Sequence, residues 1–242
     1  MIAGGATTGQ VMARRTIRAV CGWLVTRRLV LTIEGGEHVP ASGPALIAAR
    51  HFHHLYDGCA LIAALPRPVY PLVAVDWAGS GLGRRVLEAA CRWARWPTVL
   101  RADARPAEEG AAVRPAGMSR YLLRATRQVI ELLRAGQLVA VFPEGYPTID
   151  PAGTRKQELD QFLPFREGIV RLAEWAERRG AGGVPIIPAG FAYEPGPRWR
   201  VWLQFGPPVC PDDYADRQVL LQTLEQCVIA LSRQPAHRPA GD

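Results

Sequence analysis

The chain has 242 residues, which is long enough for one sizeable core, and 48% of them are hydrophobic, which excludes a disordered polypeptide. Lysine and arginine number 29 against 22 acidic residues, and this excess of +7 favours an anionic partner. Charge alone does not distinguish nucleic acid, a phosphorylated metabolite and an acidic membrane surface. The five cysteines are scattered without a Cys-x-x-Cys pair, which argues against a disulfide framework or a structural zinc site and indicates a reducing cytoplasm.

An apolar run that contains Trp23 lies near the N-terminus, with arginines on both sides. It stops at Arg27, far short of the roughly 20 apolar residues that a membrane-spanning helix requires. No secretory signal pattern is present. Basic ends around an apolar face with a tryptophan suit a helix that lies in a bilayer interface. A docking helix with a solvated basic face explains the same pattern equally well. Residues 1–29 are therefore predicted to form an amphipathic segment, and its partner stays open.

Helix-like and strand-like segments alternate along the rest of the chain. The predicted helices are residues 7–26, 57–64, 81–93, 118–135, 165–179 and 216–232. The predicted strands are residues 45–49, 70–75, 98–100, 138–142, 184–189 and 200–205. All but the last are apolar runs, which is typical of strands that are buried on both faces.

The alternation predicts an α/β fold with a mostly parallel sheet covered by helices on both faces. The last predicted strand alternates apolar and polar residues, as an edge strand does. No break in composition divides the chain, so residues 30–232 are predicted to form one domain and residues 233–242 a flexible tail.

Candidate catalytic residues follow the first predicted strand, where ligands bind in parallel sheets. His51 and His53 come directly after it, and Asp57 follows. A neutral imidazole can take a proton from a hydroxyl near pH 7, and a carboxylate can orient that ring. Helical spacing places His53 and Asp57 on one face, whereas His51 reaches Asp57 only if the chain turns between them. This clustering favours catalysis over simple capping of a strand-to-helix corner.

The same cluster, together with His54, suggests a metal-dependent hydrolase as an alternative, since imidazole is a common zinc ligand. Hydrolases of the metallo-β-lactamase type need further histidines on later loops. None occurs between His54 and His237. A metal site is therefore disfavoured.

Two further strand ends carry charged residues. Glu144 and Gly145 stand in a Phe-Pro-Glu-Gly block, where the restrained glutamate suits a hydrogen bond to a polyol or the orientation of a basic group. A plain surface turn is the alternative. Arg101 suits bidentate recognition of a phosphate, with a surface ion pair to Asp103 as the alternative. Basic residues do not alternate with aromatic ones along any element, so nucleic-acid binding is not predicted.

In chain order, these pieces resemble the glycerolipid acyltransferase family, whose best-known members are 1-acylglycerol-3-phosphate acyltransferases. That family carries a His and an Asp with four residues between them after its first strand, then a strand ending in Arg, a Phe-Pro-Glu-Gly block and an apolar strand rich in proline. The matching pieces are Arg50-His51 to Asp57, Leu100-Arg101, Phe142-Pro143-Glu144-Gly145 and Val184-Pro185-Ile186-Ile187-Pro188. Flanking pieces at residues 33–40, 165–168 and 205–209 agree as well.

The resemblance implies an O-acyltransferase of phospholipid biosynthesis whose mechanism needs no metal and no organic cofactor. It would move a fatty acyl group from acyl-CoA or acyl-carrier protein to a lysophospholipid hydroxyl, above all that of 1-acylglycerol-3-phosphate. His51 would be the general base, with His53 in reserve, Asp57 would orient it, and backbone amides near the corner would hold the oxyanion. The implied substrate-binding residues are Arg101, Glu144, Gly145 and Arg166. Such an enzyme must reach a bilayer, so the N-terminal segment is expected to attach to an anionic membrane, at the cytoplasmic face of the cell membrane.

Two departures from the family pattern stand out. Five residues lie between His51 and Asp57, and three between His53 and Asp57. His51 is preferred because it directly follows the strand. The family continues its Glu-Gly with Thr-Arg, but Tyr146-Pro147 stand here, so Arg155 or Arg166 would have to replace the missing arginine. A non-catalytic lipid-binding homologue, which lost transfer through the altered spacing, is the second alternative.

Overall fold

A computed structural model of the chain describes residues 8–78, 81–101 and 115–233. Asp103 and the predicted tail beyond residue 233 lie outside the described residues. The helices are α1 (Thr8–Arg28), α2 (Tyr56–Ala64), α3 (Leu82–Ala94), α4 (Pro115–Arg134), α5 (Gly168–Arg178) and α6 (Arg217–Leu231). The strands are β1 (Leu29–Glu34), β2 (Ala45–Ala49), β3 (Val69–Pro71), β4 (Val73–Ala74), β5 (Thr98–Val99), β6 (Leu138–Val141), β7 (Ile186–Glu194) and β8 (Trp199–Phe205).

Six strands form one sheet in the order β1-β8-β7-β2-β6-β3. Strands β7, β2, β6 and β3 run parallel to one another. Strand β8 joins β7 in the antiparallel sense, and β1 lies parallel to β8. Because β2 and β6 are parallel neighbours, with Ala48 paired to Val141, the residues that follow them leave the same edge of the sheet side by side.

Helices cover both faces of this sheet, as predicted. In β2, Ala45, Ile47 and Ala49 pack in one core with residues of α1 and α2. The residues between them, Leu46 and Ala48, pack in a second core with residues of α4, α5 and α6. Side chains alternate along a strand, so a strand between two cores must be apolar throughout. The predicted α/β class with a mostly parallel sheet is confirmed.

The predicted strand 70–75 is divided between two sheets. Strand β3 pairs with β6 in the main sheet, whereas β4 pairs with β5 in a separate two-stranded sheet. The partner strand changes directly after Leu72. The N–H of Leu72 still bonds to the carbonyl of Ala140 in the main sheet, whereas the N–H of Val73 bonds to the carbonyl of Pro97. A continuous apolar run carries no sign of such a change.

The prediction of an edge strand at residues 200–205 was wrong. Strand β8 lies between β1 and β7, and the edge beside it is formed by β1, which the sequence pattern did not reveal. The alternation arises because Val201, Leu203 and Phe205 face the core while the residues between them are partly exposed.

Helix α1 has one face toward the protein and one face outside it. Cys21 and Val25 are buried in the core that α1 shares with α2. Met12, Val20 and Trp23 remain 62%, 59% and 61% exposed. Within the described ranges, no helix is both long and apolar enough to cross a membrane. Helix α1 ends at Arg28 and β1 begins at Leu29, but the predicted domain boundaries stay predictions.

Candidate active site

A tight turn after β2 brings His51 to Asp57 despite the five residues between them. The Nδ1 atom of His51 lies 3.0 Å from Oδ2 of Asp57. The same carboxylate oxygen accepts hydrogen bonds from the backbone N–H groups of Phe52 at 2.7 Å and His53 at 2.9 Å. The corner therefore wraps around the first turn of α2, and the additional residue is accommodated in the turn.

Asp57 is fully buried and has four hydrogen-bond donors around it. Its second oxygen, Oδ1, accepts a bond from the Tyr193 hydroxyl at 2.6 Å. Several donors are what a buried carboxylate requires, because an unpaired charge in the interior is costly. Burial and the neighbouring carboxylate raise the pKa of Tyr193 well above its ordinary value, so the phenol keeps the proton that it donates.

The His51 ring lies at the boundary between the core and two cavities. Its side chain is 15% exposed, and it stacks on Phe142 with 4.2 Å between ring centroids. Because Nδ1 faces Asp57, Nε2 is the nitrogen left for a substrate. An imidazole held by a carboxylate on one side and open on the other can act as a general base.

His53 has a different role in the structure. Its Nδ1 accepts hydrogen bonds from the N–H groups of Leu55 at 3.2 Å and Tyr56 at 3.3 Å, which satisfies donors at the start of α2. Burial lowers the pKa of His53 to about 4, so the ring is neutral near pH 7 and can accept these bonds. The backbone N–H of His53, rather than its ring, bonds to Asp57.

Glu144 is buried next to the backbone of His51. Its side chain is fully buried and accepts bonds from the N–H groups of His51 at 2.8 Å and Leu163 at 3.0 Å. Glu144 therefore holds the backbone of His51 in place. Its predicted role in binding the substrate stays a prediction.

Lys156 completes this support. Its Nζ lies 2.6 Å from Oε2 of Glu144 and donates to the carbonyl oxygen of His51 at 2.7 Å. The buried ion pair thus holds both the N–H and the C=O of His51. Burial lowers the pKa of Lys156, and the Glu144 carboxylate opposes that shift. No role was predicted for this residue from the sequence, although it is the chain's single lysine.

The guanidinium of Arg101 is shared between two carboxylates. Its Nε lies 2.5 Å from Asp76, and its Nη1 lies 2.5 Å from Asp150. The ring of Tyr146 lies 4.7 Å away. The role predicted for Arg101 in binding phosphate stays a prediction, since any phosphate would compete with both carboxylates. The alternative partner, Asp103, lies outside the described residues.

Gly145 and Arg166 meet at the wall of the site. Gly145 has a φ of +77°, and a Cβ there would lie 3.2 Å from Nε of Arg166. Only glycine adopts this backbone readily while letting the guanidinium approach so closely. The other substitute for the missing arginine, Arg155, lies with its guanidinium 5.2 Å from the ring of Tyr146.

Two cavities adjoin the His51 ring. The larger one, about 640 Å³, extends between α4, α5 and the end of β6. Apolar residues form most of its wall, among them Leu122, Val129, Phe142, Leu172 and Trp175. The smaller one, about 140 Å³, lies beside α2. Both are also lined by Arg101 and Gly145, whereas Arg166 lines only the larger one. An apolar cavity that ends at a basic imidazole can hold a hydrocarbon chain with its reactive end at the base.

The metal alternative finds little support. In the part of the chain that the structure describes, no three His, Cys, Asp or Glu side chains come together in an arrangement that could hold a metal ion. The nitrogen of His53 that faces α2 is already occupied by two backbone donors.

Comparison with known proteins agrees with this geometry. A profile of the family described as Acyltransferase matches residues 30–192, more than half of the chain. The chain belongs to the acyltransferase family. This acyltransferase is similar in fold to the crystal structure of the 1-acyl-sn-glycerophosphate (LPA) acyltransferase PlsC from Thermotoga maritima, with a TM-score of 0.57 and 20% identity over 91% of this chain and 77% of that chain. None of the curated protein sequences matches. The predicted family membership is confirmed.

Proposed function

We propose that this acyltransferase moves a fatty acyl group from an acyl thioester to the hydroxyl of a lysophospholipid of the 1-acylglycerol-3-phosphate type. The observation that carries the proposal is the contact of 3.0 Å between His51 and Asp57 at the end of an apolar cavity. An acyl chain would fill that cavity, and the thioester carbonyl would lie at the imidazole. The solved PlsC structure, a 1-acyl-sn-glycerophosphate acyltransferase, has a similar fold.

The proposed mechanism uses only side chains of the protein. Nε2 of His51 takes the proton of the acceptor hydroxyl while the oxygen attacks the thioester carbonyl carbon. Asp57 accepts the Nδ1–H bond and stabilises the imidazolium that forms. When the tetrahedral intermediate collapses, the carbon–sulfur bond breaks, the new ester remains, and His51 returns the proton to the leaving thiolate.

Three backbone amides of the corner already have hydrogen-bond partners, so we propose that other groups contribute to binding the oxyanion. The N–H of His51 bonds to Glu144, and those of Phe52 and His53 bond to Asp57. Arg101 and Arg166 line the cavity and are the candidates for balancing the charge on the oxygen.

The acceptor can be identified by offering a mixed panel of lysophospholipids with a labelled acyl thioester and analysing the lipids by mass spectrometry. The proposal expects one labelled diacyl product, formed from lysophosphatidic acid. Labelled products from neutral lysolipids alone would contradict the acceptor but not the acyl transfer. Lysolipid binding without release of free thiol would support the non-catalytic homologue instead.

We further propose that α1 attaches the enzyme to an anionic membrane surface, at the cytoplasmic face of the cell membrane. Its exposed apolar residues Met12, Val20 and Trp23 are interleaved with exposed Arg15 and Arg27. This combination suits an interfacial helix, because apolar side chains enter the bilayer while guanidinium groups meet anionic headgroups.

A further inference from the structure

A third cavity, about 680 Å³ and separate from His51, opens between α3 and α4. Its arginines are Arg92, Arg95, Arg120, Arg124 and Arg127. The acidic residues of its wall are Glu88 and Glu131. Glu88 already accepts bonds from Arg84 at 3.0 Å and Tyr121 at 2.8 Å. Among the described residues, the cavity therefore carries a clear excess of positive charge. We refer to it as the arginine cleft.

The arginine cleft adjoins both cavities that contain His51. Trp96 lines the cleft and the smaller of these cavities. Leu123 lines the cleft and the larger one. The arginine cleft and the two cavities at His51 are therefore neighbours that share lining side chains. A flexible arm that passes Trp96 or Leu123 would connect the arginines with the proposed thioester position.

We propose that the arginine cleft binds the phosphorylated nucleotide end of a coenzyme A thioester. This inference rests on the proposed function and assigns the donor class, which acyl transfer alone leaves open. The nucleotide end carries a pyrophosphate and a 3′-phosphate, and guanidinium groups bind such oxygens in bidentate geometry. Trp96 and Tyr121 add aromatic surface for the adenine ring.

The shape of the cleft favours a small polyanion over a larger anionic partner. A volume of about 680 Å³ lies within the range of small-molecule sites, roughly 300–1,000 Å³. A bilayer presents a broad surface and does not enter a cleft between two helices. A carrier protein needs a wide contact area, typically about 800 Å² on each partner.

Two paired variants test the assignment. Arg92→Gln with Arg124→Gln removes one cleft arginine from α3 and one from α4. Arg85→Gln with Arg134→Gln removes the same charge from the same two helices at exposed positions outside the cleft. Binding of adenosine 3′,5′-bisphosphate is measured by calorimetry, and KM is measured for acyl-CoA and for acyl-N-acetylcysteamine, a thioester without the nucleotide.

We expect the cleft pair to weaken nucleotide binding and to raise the KM for acyl-CoA by about tenfold or more, with kcat retained. The KM for the truncated thioester should be unchanged, and the control pair should behave like the unaltered enzyme. Equal effects of both pairs, or none, would overturn the inference. Loss of vesicle binding or of acyl-carrier-protein use alone, with intact nucleotide binding, would also overturn it.

Failure of the proposed function has a different signature. If no acyl thioester, long or truncated, yields product with any lysophospholipid, the acyl transfer is wrong whatever the nucleotide does. If the truncated thioester is used and the cleft pair leaves the KM for acyl-CoA unchanged, the transfer stands and only the cleft assignment fails.

Discussion

The corner at His51 and the arginine cleft both contain charged side chains, but those of the corner are buried and those of the cleft are exposed. At the corner, Asp57, Glu144 and Lys156 are buried, and each has partners within hydrogen-bond distance. Arg92 and Arg124 in the cleft are exposed to solvent. A buried charge is tolerated only in a complete set of partners, whereas an exposed guanidinium costs little and stays available to a ligand. Buried charges thus hold the catalytic corner in place, whereas exposed arginines remain available to bind a ligand.

The sharpest test of the corner is Asp57→Asn, for which we expect the largest effect. The substitution keeps the shape of the side chain but removes the charge that stabilises the imidazolium, so kcat should fall on the order of 10³–10⁴-fold. The rate of thiol release at saturating substrates measures kcat, and circular dichroism verifies that the variant is folded. A folded variant that retains more than a tenth of the original kcat would contradict the catalytic role of the His51–Asp57 pair.

The Glu144–Lys156 pair is predicted to act by positioning, with a smaller effect. Lys156→Met leaves Glu144 as an unpaired buried charge, which costs about 3–5 kcal/mol of unfolding free energy. It also frees the His51 carbonyl, and we expect kcat to fall about 10- to 100-fold with KM unchanged.

The double variant of Glu144→Gln and Lys156→Met separates these two effects. It carries no unpaired charge, so it should be more stable than Lys156→Met alone while kcat stays low. Denaturant unfolding and steady-state kinetics on the four proteins of this cycle give both quantities. A kcat that recovers together with stability would show that the pair only supports the fold.

Salt should act on the cleft and spare the corner. Exposed charges are screened by added salt, whereas buried pairs are screened much less. Raising the salt from about 50 mM to about 500 mM should therefore increase the KM for acyl-CoA severalfold and leave kcat nearly constant. The truncated thioester serves as the control. An equal rise in its KM would mean that salt acts elsewhere than on the cleft.

Trp23→Ser tests the membrane surface of α1 with a modest expected effect. The indole is 61% exposed, so its loss should leave stability unchanged and weaken binding to anionic vesicles severalfold. Co-sedimentation with vesicles measures binding. Trp175→Ser on α5 is no suitable control, because Trp175 lines the larger cavity at His51. Val219→Ser, an exposed apolar residue of α6, is the matched control. Equal binding of Trp23→Ser and the unaltered protein would contradict attachment through this face.

The smallest predicted effect concerns His53 and acid stability. Burial lowers its pKa from 6.5 to about 4, so the unfolded chain binds the additional proton between these values. The contribution is fully present above pH 6.5 and is lost as the pH falls toward 4. His53→Asn keeps an acceptor for the start of α2 but does not titrate. Its melting temperature should fall less between pH 6.5 and 4 than that of the unaltered protein, and equal slopes would contradict this.

Much of the fold was predictable because its signals are local. A strand between two cores must be apolar throughout, so β2 and β6 were visible as runs, and helical periodicity revealed α2 to α6. The division of residues 69–74 between two sheets was not predictable, because Leu72 differs from its neighbours only in its partner strand. Strand β1 was not predicted either, because its partner strand β8 comes from the opposite end of the chain.

For the candidate site, the sequence order of motifs gave His51 and Asp57 but not their supports. Tyr193 bonds to Asp57 across 136 positions, and no local pattern distinguishes it from another strand tyrosine. Glu144 was recognised by its motif, but it is buried together with Lys156, which a loop without regular secondary structure brings to it. Lys156 did carry one unused signal, since a chain so rich in arginine retains a single lysine.

The most direct measurement compares His51→Ala with His53→Asn in the formation of labelled phospholipid from lysophosphatidic acid and a labelled acyl thioester. The imidazole of His51 bonds to Asp57 through Nδ1, and that of His53 caps α2. We therefore predict that His51→Ala forms no product above background while His53→Asn retains most of the rate. Product formation by folded His51→Ala, with loss in His53→Asn, would contradict the assignment of the base.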